Sequence, residues 1–410
     1  MKKQSVIYIG RFYPQSLLKT LREDSRGKAG GMSNHNFEMS LINGLCHQKD
    51  IAFKCLTYPV VYSYPYNNKR FYTKKESYEY KSTSIYSVGF CNLPILKEIW
   101  ATLSLAIQIV RFCSKQSGDR VNIIINTPNQ NILKAVSIAK TFTKKDITQT
   151  VIIPDIPSMV TSMTKTNSVK GKLLNYMNES LMRKLSSVNG LVLLTEDMMD
   201  FIYNKSIKRI IMEGIVDVET MSSEMIYEEP KQEIILYTGT LLKMFGVMNL
   251  VRAFQLIENE NIQLWLCGAG DSVREIEDAA KSDKRIKFYG LVDSQTALTL
   301  QRQATILVNP RTSDGEYTKY SFPSKTMEYL LAGKTVIINR LKGIPDEYFE
   351  YAFTPTDESI EALANCINEV IGLDFDFRLE KAKSGRNFVM NNKNSQVQVS
   401  RILEMISCYQ

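Results

Sequence analysis

Short apolar runs alternate with longer amphipathic stretches along most of this chain. In the first half the runs are SVIYIG (Ser5–Gly10), VNIIIN (Val121–Asn126), QTVIIP (Gln149–Pro154) and GLVLLT (Gly190–Thr195). Each is rich in β-branched residues and closes near a Gly, Pro or Asn, so each reads as a buried strand. Helical periodicity lies between them, at about Asn36–Gln48, Ile132–Thr141 and Leu173–Leu185. The second half repeats the scheme. Strands are predicted at Glu233–Gly239, Ile262–Gly268, Ile286–Gly290, Thr305–Pro310 and Lys334–Asn339, with helices at Gly246–Ile257, Ser272–Lys281, Ser294–Ala304 and Ser324–Ala332. Strand–helix alternation of this kind predicts an α/β protein with parallel sheets covered on both faces.

Two domains follow from the 410-residue length and from the polar, acidic stretch Glu213–Glu233, which reads as a linker. The expected division is a first domain over 1–210, a second over 211–390, and a last amphipathic helix, Ser395–Ile406, within 391–410. Charge separates the halves. Residues 1–210 hold 30 Lys and Arg against 14 Asp and Glu, a net +16; residues 211–410 hold 21 against 29, a net −8. The first half therefore suits an anionic partner. The amino-terminal MKKQSVIYIG has no apolar core of a signal peptide, and no run reaches the ~18 apolar residues of a membrane span. Seven cysteines without a CxxC pair fit reduced thiols and a cytoplasmic protein.

The candidate chemistry lies in the second half, in YTKYSFPSKTMEYLLAGKTVI (Tyr317–Ile337). Pro323 suits the first position of a helix, which leaves the N–H groups of Ser324 and Lys325 pointing outward as an anion site. Glu328 follows Ser324 by four residues, on the same face, about 6 Å away. A phosphate at Ser324 would leave Glu328 one ribose distant, ready to accept from two hydroxyls. A plain helix with a solvated Lys and Glu is the alternative. Three further strand-to-loop turns lie in the same sheet. Gly239 and Thr240 follow the first strand, with Lys243 in the loop; Gly268 follows the second; NPRTSDGE (Asn309–Glu316) follows the fourth. Ligands of open α/β sheets bind at such carboxyl ends. Lys243 and Arg311 are candidates for phosphate contact, Glu316 for sugar hydroxyls, although simple loop solvation would account for them too.

The order of these elements resembles the family 4 glycosyltransferases, the "glycosyl transferases group 1" enzymes of GT-B fold. FPSKTMEYLLAGKTVI carries the closest agreement; AGGMSNHNFEMSLINGL (Ala29–Leu45), IIPDIPSM and LLTEDM match more loosely. The branch it most resembles builds bacterial exopolysaccharide, capsule or O-antigen chains. The resemblance implies two Rossmann-like domains with parallel sheets facing across a cleft, and a last helix crossing back to the amino-terminal domain. It also implies a nucleotide-sugar donor of UDP or GDP type as co-substrate, transfer with retention, no cofactor and no bound metal. The family's usual pair of glutamates falls at Tyr320 and Glu328, so the first is missing, with Glu316 a nearby substitute. Its usual Arg and Lys pair falls at Thr240 and Phe245. A frequent His corresponds to Pro154–Asp155. Arg311, Lys243, Glu316 and Asp155 are thus the expected catalytic groups. Gly239, Thr240, Gly268, Ser324, Lys325 and Glu328 are the expected donor site. Gly30, Gly31 and His35 are expected on the acceptor side.

The expected partners are the nucleotide sugar, a glycan or polyprenyl-diphosphate-linked acceptor, and an anionic membrane touched at its inner face. NNKRFYTKKESYEYK (Asn67–Lys81) and KEIWATLSLAIQIVRFCSK (Lys97–Lys115) mix cations with aromatics and suit headgroups. A helix packed on the sheet is the other reading of Lys97–Lys115. Nucleic acid is not expected, since no binding motif accompanies the basic runs. With two histidines, and an only Asp-x-Asp at Asp374–Asp376, no metal site is predicted. A non-catalytic protein of the same fold, binding a nucleotide sugar or an anionic polymer, is the alternative function.

Overall fold

The structure is a computed structural model. It describes residues 4–12, 35–58, 61–72, 77–81, 83–157, 169–218, 229 and 232–409. Gly30 and Gly31 lie outside the described residues. The chain divides into two compact units: Met1–Asp217 together with Asn394–Gln410, and Val218–Lys393.

Among the described residues the first unit holds ten strands: β1 (Gln4–Gly10), β2 (Ile51–Thr57), β3 (Phe71–Tyr72), β4 (Ser77–Tyr80), β5 (Thr83–Ser87), β6 (Phe90–Cys91), β7 (Arg120–Asn126), β8 (Asp146–Ile153), β9 (Gly190–Leu193) and β10 (Lys208–Ile211). Eight form one sheet in the order β10-β9-β8-β7-β1-β2-β5-β4; β3 and β6 pair separately. All neighbours in the large sheet run parallel except β4 and β5. The six residues of β1 after Gln4 are all buried, as a strand covered on both faces requires. Chain order reverses between β1 and β7, so the switch point of this sheet lies beside Gly10 and Asn126.

Helices α1 (His35–Cys46), α2 (Leu96–Cys113), α3 (Gln130–Thr141) and α4 (Val169–Leu185) belong to this unit. The hairpin β4–β5 and the strands β2 and β10 were not among the predicted elements; their mixed polar sequences, IAFKCLT and KRII among them, conceal the pattern.

The second unit contains β11 (Glu233–Thr238), β12 (Ile262–Cys267), β13 (Ile286–Phe288), β14 (Ile306–Asn309) and β15 (Thr335–Ile338) in the order β13-β12-β11-β14-β15, all parallel. Its helices are α5 (Val247–Gln255), α6 (Val273–Ser282), α7 (Ser294–Gln303), α8 (Ser324–Leu331), α9 (Ile360–Gly372) and α10 (Phe375–Asn392). The five predicted strands are all present. Ile235, Leu264, Leu266, Ile306, Val308 and Ile337 project from them into a core closed by Leu250, Phe254 and Ile367. Asp374 is the N-cap of α10, and its carboxylate accepts from the Phe377 N–H at 3.2 Å. The first carboxylate of the Asp-x-Asp therefore serves as a helix cap.

The final helix, α11 (Ser395–Ser407), belongs to the first unit and packs on α1, β9 and β10. Gln398 Nε2 donates to the Gly214 carbonyl at 2.8 Å and Arg401 Nη2 to the Ile211 carbonyl at 2.8 Å. The Ser395 N–H donates to Val216 O at 2.9 Å. The first residues of the predicted linker are thus anchored to this helix, and Glu213 is buried. No disulfide joins any of the seven cysteines. Among the described residues no helix is long and apolar enough to cross a membrane.

Candidate active site

The switch point of the second sheet lies between β11 and β14, because the chain passes from β11 to β12 and β13 on one side and returns to β14 and β15 on the other. Gly239 and Thr240 leave the carboxyl end of β11, Gly268 that of β12, and Pro310–Glu316 that of β14. Ser324 and Lys325 open α8 after that last loop. The predicted second-unit residues thus share one edge of one sheet.

Helix α8 starts at Ser324, as the pattern Ser324–Ala332 predicts, but Pro323, read as its first helical position, is instead its N-cap, with ψ 100. The correction has a simple cause: Pro323 O accepts from the Thr326 N–H at 2.8 Å, the role of a cap carbonyl. No side chain caps this end. Helix geometry leaves the N–H groups of Ser324 and Lys325 without intrahelical acceptors, so the positive end of α8 faces outward through them.

Lys325 Nζ lies 2.8 Å from both Glu328 carboxylate oxygens. Gln301 Nε2, from α7, donates to Glu328 Oε1 at 2.6 Å and to Thr238 Oγ1 at 3.0 Å. The Tyr329 hydroxyl accepts from the Thr238 N–H at 2.9 Å and lies 3.2 Å from its carbonyl. Gln301 and Tyr329 are buried, whereas Lys325 and Glu328 are half-buried. A carboxylate is thereby fixed beside an ammonium at a helix start. Gly239 is part of the same construction: a Cβ there would lie 3.1 Å from Lys325 Cε, and its φ of 144 excludes most other residues.

Gly268 uses its missing side chain differently from what its sequence position suggests. A Cβ at 268 would stand 1.7 Å from Gly239 O, so the close approach it allows is between two backbone turns. Its N–H donates to Gly290 O at 2.8 Å, and the Gly239 N–H to Cys267 O at 2.9 Å. Thr240 is exposed, and its carbonyl accepts from the Tyr237 hydroxyl at 2.9 Å. Lys243 is drawn toward α6: Nζ lies 2.7 Å from Glu275 Oε1, and its N–H donates to Asp271 Oδ1 at 2.9 Å.

Arg311 lies between two rings, its guanidinium carbon 5.2 Å from the Phe245 centroid and 4.9 Å from that of Tyr317. Its Nε is buried without a hydrogen-bond partner. Phe245, where the family's lysine would fall, thus supplies a face that orients an arginine. Glu316 is exposed at the start of a one-turn helix, Glu316–Tyr320, preceded by Gly315. The Tyr320 side chain is buried, with Lys319 Nζ 4.7 Å from its ring.

In the first unit, Asp155 follows β8 and is solvent-accessible; partial desolvation raises its carboxyl above the usual range. His35 opens α1, half-buried, and burial lowers its pKa. At the β1/β7 switch point is a group the sequence reading missed. Glu38 is 2% exposed, and its two oxygens accept from the Arg11 N–H at 3.2 and 3.0 Å. Asn126 and the Tyr8 hydroxyl lie beside it, off the geometry of full hydrogen bonds. Burial raises the Glu38 carboxyl to about 7 against these interactions. Gln301, Tyr329 and Glu38 all sit on amphipathic helices with nothing in the local pattern to mark them. Among the described residues no group of three or more His, Cys, Asp or Glu is placed to hold a metal ion.

Two parallel-sheet units of this kind, the last helix packed on the first, constitute the GT-B fold. Residues 232–372, within the second unit, match the family described as Glycosyl transferases group 1. No curated protein matches the sequence. Among solved structures, the chain is similar to Anabaena HepE in complex with UDP, at 13% identity and TM-score 0.61 over 98% of this chain and 100% of that one. Sucrose-phosphate synthase from Thermosynechococcus elongatus gives 13% and 0.59 over 99% and 100%. A glycosyltransferase from Rickettsia africae gives 13% and 0.60 over 98% and 97%.

Proposed function

We propose that the chain is a retaining, metal-independent hexosyltransferase. It moves a sugar from a UDP- or GDP-type donor to a glycan or polyprenyl-diphosphate-linked acceptor, in exopolysaccharide, capsule or O-antigen synthesis at the inner face of the membrane. The observation that carries the reading is the Lys325–Glu328–Gln301 constellation at the β11/β14 switch point. The Ser324 and Lys325 amides and the helix dipole suit a diphosphate. Glu328, held by Gln301, suits the two hydroxyls of a ribose. That HepE is a complex with UDP supports a uridine nucleotide.

In this reading the bond from the anomeric carbon to the diphosphate breaks while the acceptor oxygen bonds to the same face. The acceptor's proton passes to the departing phosphate oxygen. The chain's task is to stabilise growing charge on that phosphate. Arg311, Lys243 and Lys325 do this, Lys325 by exchanging its contact with Glu328 for the donor. Thr240, Gly239 and Gly268 shape the backbone around the nucleotide, and Glu316 meets sugar hydroxyls. Asp155, His35 and the Gly30–Gly31 segment serve the acceptor.

The test is a thermal-shift panel of UDP-, GDP- and ADP-sugars on the full chain, followed by turnover with lipid-linked acceptors and proton NMR of the product anomer. A rise with one nucleotide class, lost in Glu328→Ala, is expected, because selective binding stabilises the folded state. A product of inverted configuration sinks the retaining mechanism. Binding without turnover of any acceptor would favour the non-catalytic reading.

A further inference from the structure

Helix α2 has two apolar faces. Ala101, Leu105, Ile109 and Phe112 are buried on one. On the other, Leu96, Ile99, Trp100, Leu103 and Ile107 are each 49–54% exposed. Spacings of three and four residues place these five in one stripe along a helix roughly 27 Å long. A surface helix ordinarily sets polar groups there, and a contiguous exposed apolar stripe marks an interface. Packing on the sheet, the other reading of Lys97–Lys115, thus accounts for only half of the helix.

Two observations identify what the stripe meets. Ile95, just before the helix, is 77% exposed at φ 66. A β-branched residue in the left-handed region is a strained outlier, and here it holds an apolar side chain out at the end of the stripe. The second observation is the charge at the flanks. Asn92 Nδ2 donates to Tyr62 O at 3.1 Å and to Lys69 O at 2.8 Å, tying segment 61–72 to the start of the helix. That segment presents exposed Tyr66 and Phe71 beside exposed Lys69 and Arg70. At the far end Arg111 and Lys115 are exposed. The helix's only acid, Glu98, accepts from the Tyr58 hydroxyl and the Asn131 amide, each at 2.7 Å.

We propose that this stripe docks the chain on an anionic lipid bilayer. Helix α2 lies in the plane of the interface, its apolar residues reaching the acyl boundary and its flanking cations among the headgroups. Trp100 carries the side chain best suited to that depth. Pairing with a second copy is opposed by charge, since it would bring together two halves of net +16. The proposal deepens the membrane part of the proposed function but stands on α2 alone. It can fail while donor binding at Glu328 holds, and the reverse.

The chain has two tryptophans, Trp100 and Trp265. In full-length Trp265→Phe, Trp100 is therefore the only indole reporter. Titration with vesicles of equal parts phosphatidylcholine and phosphatidylglycerol should shift its emission to the blue, and bromolipids should quench it. Vesicles of phosphatidylcholine alone should do far less, and added salt should weaken the effect. In flotation, the triple variant Ile99→Ser, Leu103→Ser, Ile107→Ser should lower the bound fraction by about ten-fold or more. Three outcomes would overturn the proposal. These are no binding to either vesicle, undiminished binding by the triple variant, or a concentration-dependent dimer that the same substitutions abolish.

Discussion

The ammonium of Lys325 reaches both carboxylate oxygens of Glu328, at 2.8 Å each, from one turn earlier on the same helix. At 28% and 33% side-chain exposure the pair is screened by water and contributes only a few tenths of a kcal/mol to stability. In the proposed function its value is positional: each group holds the other where the donor nucleotide would need it. Glu328→Ala should leave the melting temperature within about a degree of the parent. It should weaken nucleotide binding ~10- to 100-fold by calorimetry, the loss of hydrogen bonds to a charged group. An unchanged affinity would remove Glu328 from the donor site.

The buried hydroxyl of Tyr329 bears a different load. It accepts from the Thr238 N–H, at 2.9 Å, at the end of β11. Tyr329→Phe keeps the ring and strands a buried donor, at a cost of about 1–3 kcal/mol. Chemical denaturation should show the midpoint falling with an unchanged slope.

Gly268 tolerates no side chain. Alanine there would combine a φ of 145 with an atom 1.7 Å from the Gly239 carbonyl oxygen. We expect Gly268→Ala to cost more than ~3 kcal/mol, since strain and a backbone clash add. It should also displace the turn that bears Lys325's neighbour Gly239. A soluble variant with native melting behaviour would refute this.

Glu38 makes stability fall as pH rises. Its carboxyl titrates near 4.5 when unfolded and at about 7 when folded. Between those values the folded state binds more protons, so stability declines through that window and stays lower above it. The full difference is about 3 kcal/mol. Glu38→Gln keeps one acceptor for the Arg11 N–H and removes the titration. Its melting temperature should therefore vary less than the parent's between pH 5 and pH 8, a range set by that window. Parallel curves for the two proteins would show that Glu38 stays charged throughout.

Local sequence carried much of the second unit and less of the first. β11 to β15 are dense apolar runs ending at Gly, Pro or Asn, which only a buried parallel sheet satisfies. FPSKTME likewise announced a helix start with a cation and an acid one turn apart. Strand β2, IAFKCLT, hid its role because its first four residues are only partly buried. Helix α2 was ambiguous for a related reason: apolar residues on both faces erase the contrast that tells inside from outside.

The sequence by itself determined the alternation of strands and helices, the charge division between halves, and the placing of Lys325 and Glu328 on one helix face. These depend on neighbours within a turn or a strand. Tertiary structure alone decided that Gln301 would reach Thr238 across 63 positions and Glu328 across 27, and that Glu38 would be sealed beneath Arg11. It also decided that Ile99, Trp100 and Leu103 would remain uncovered. The reason is that hydrogen bonds between distant residues, and the water excluded around a carboxylate, depend on which strand edges meet, and strand order is a property of the whole chain.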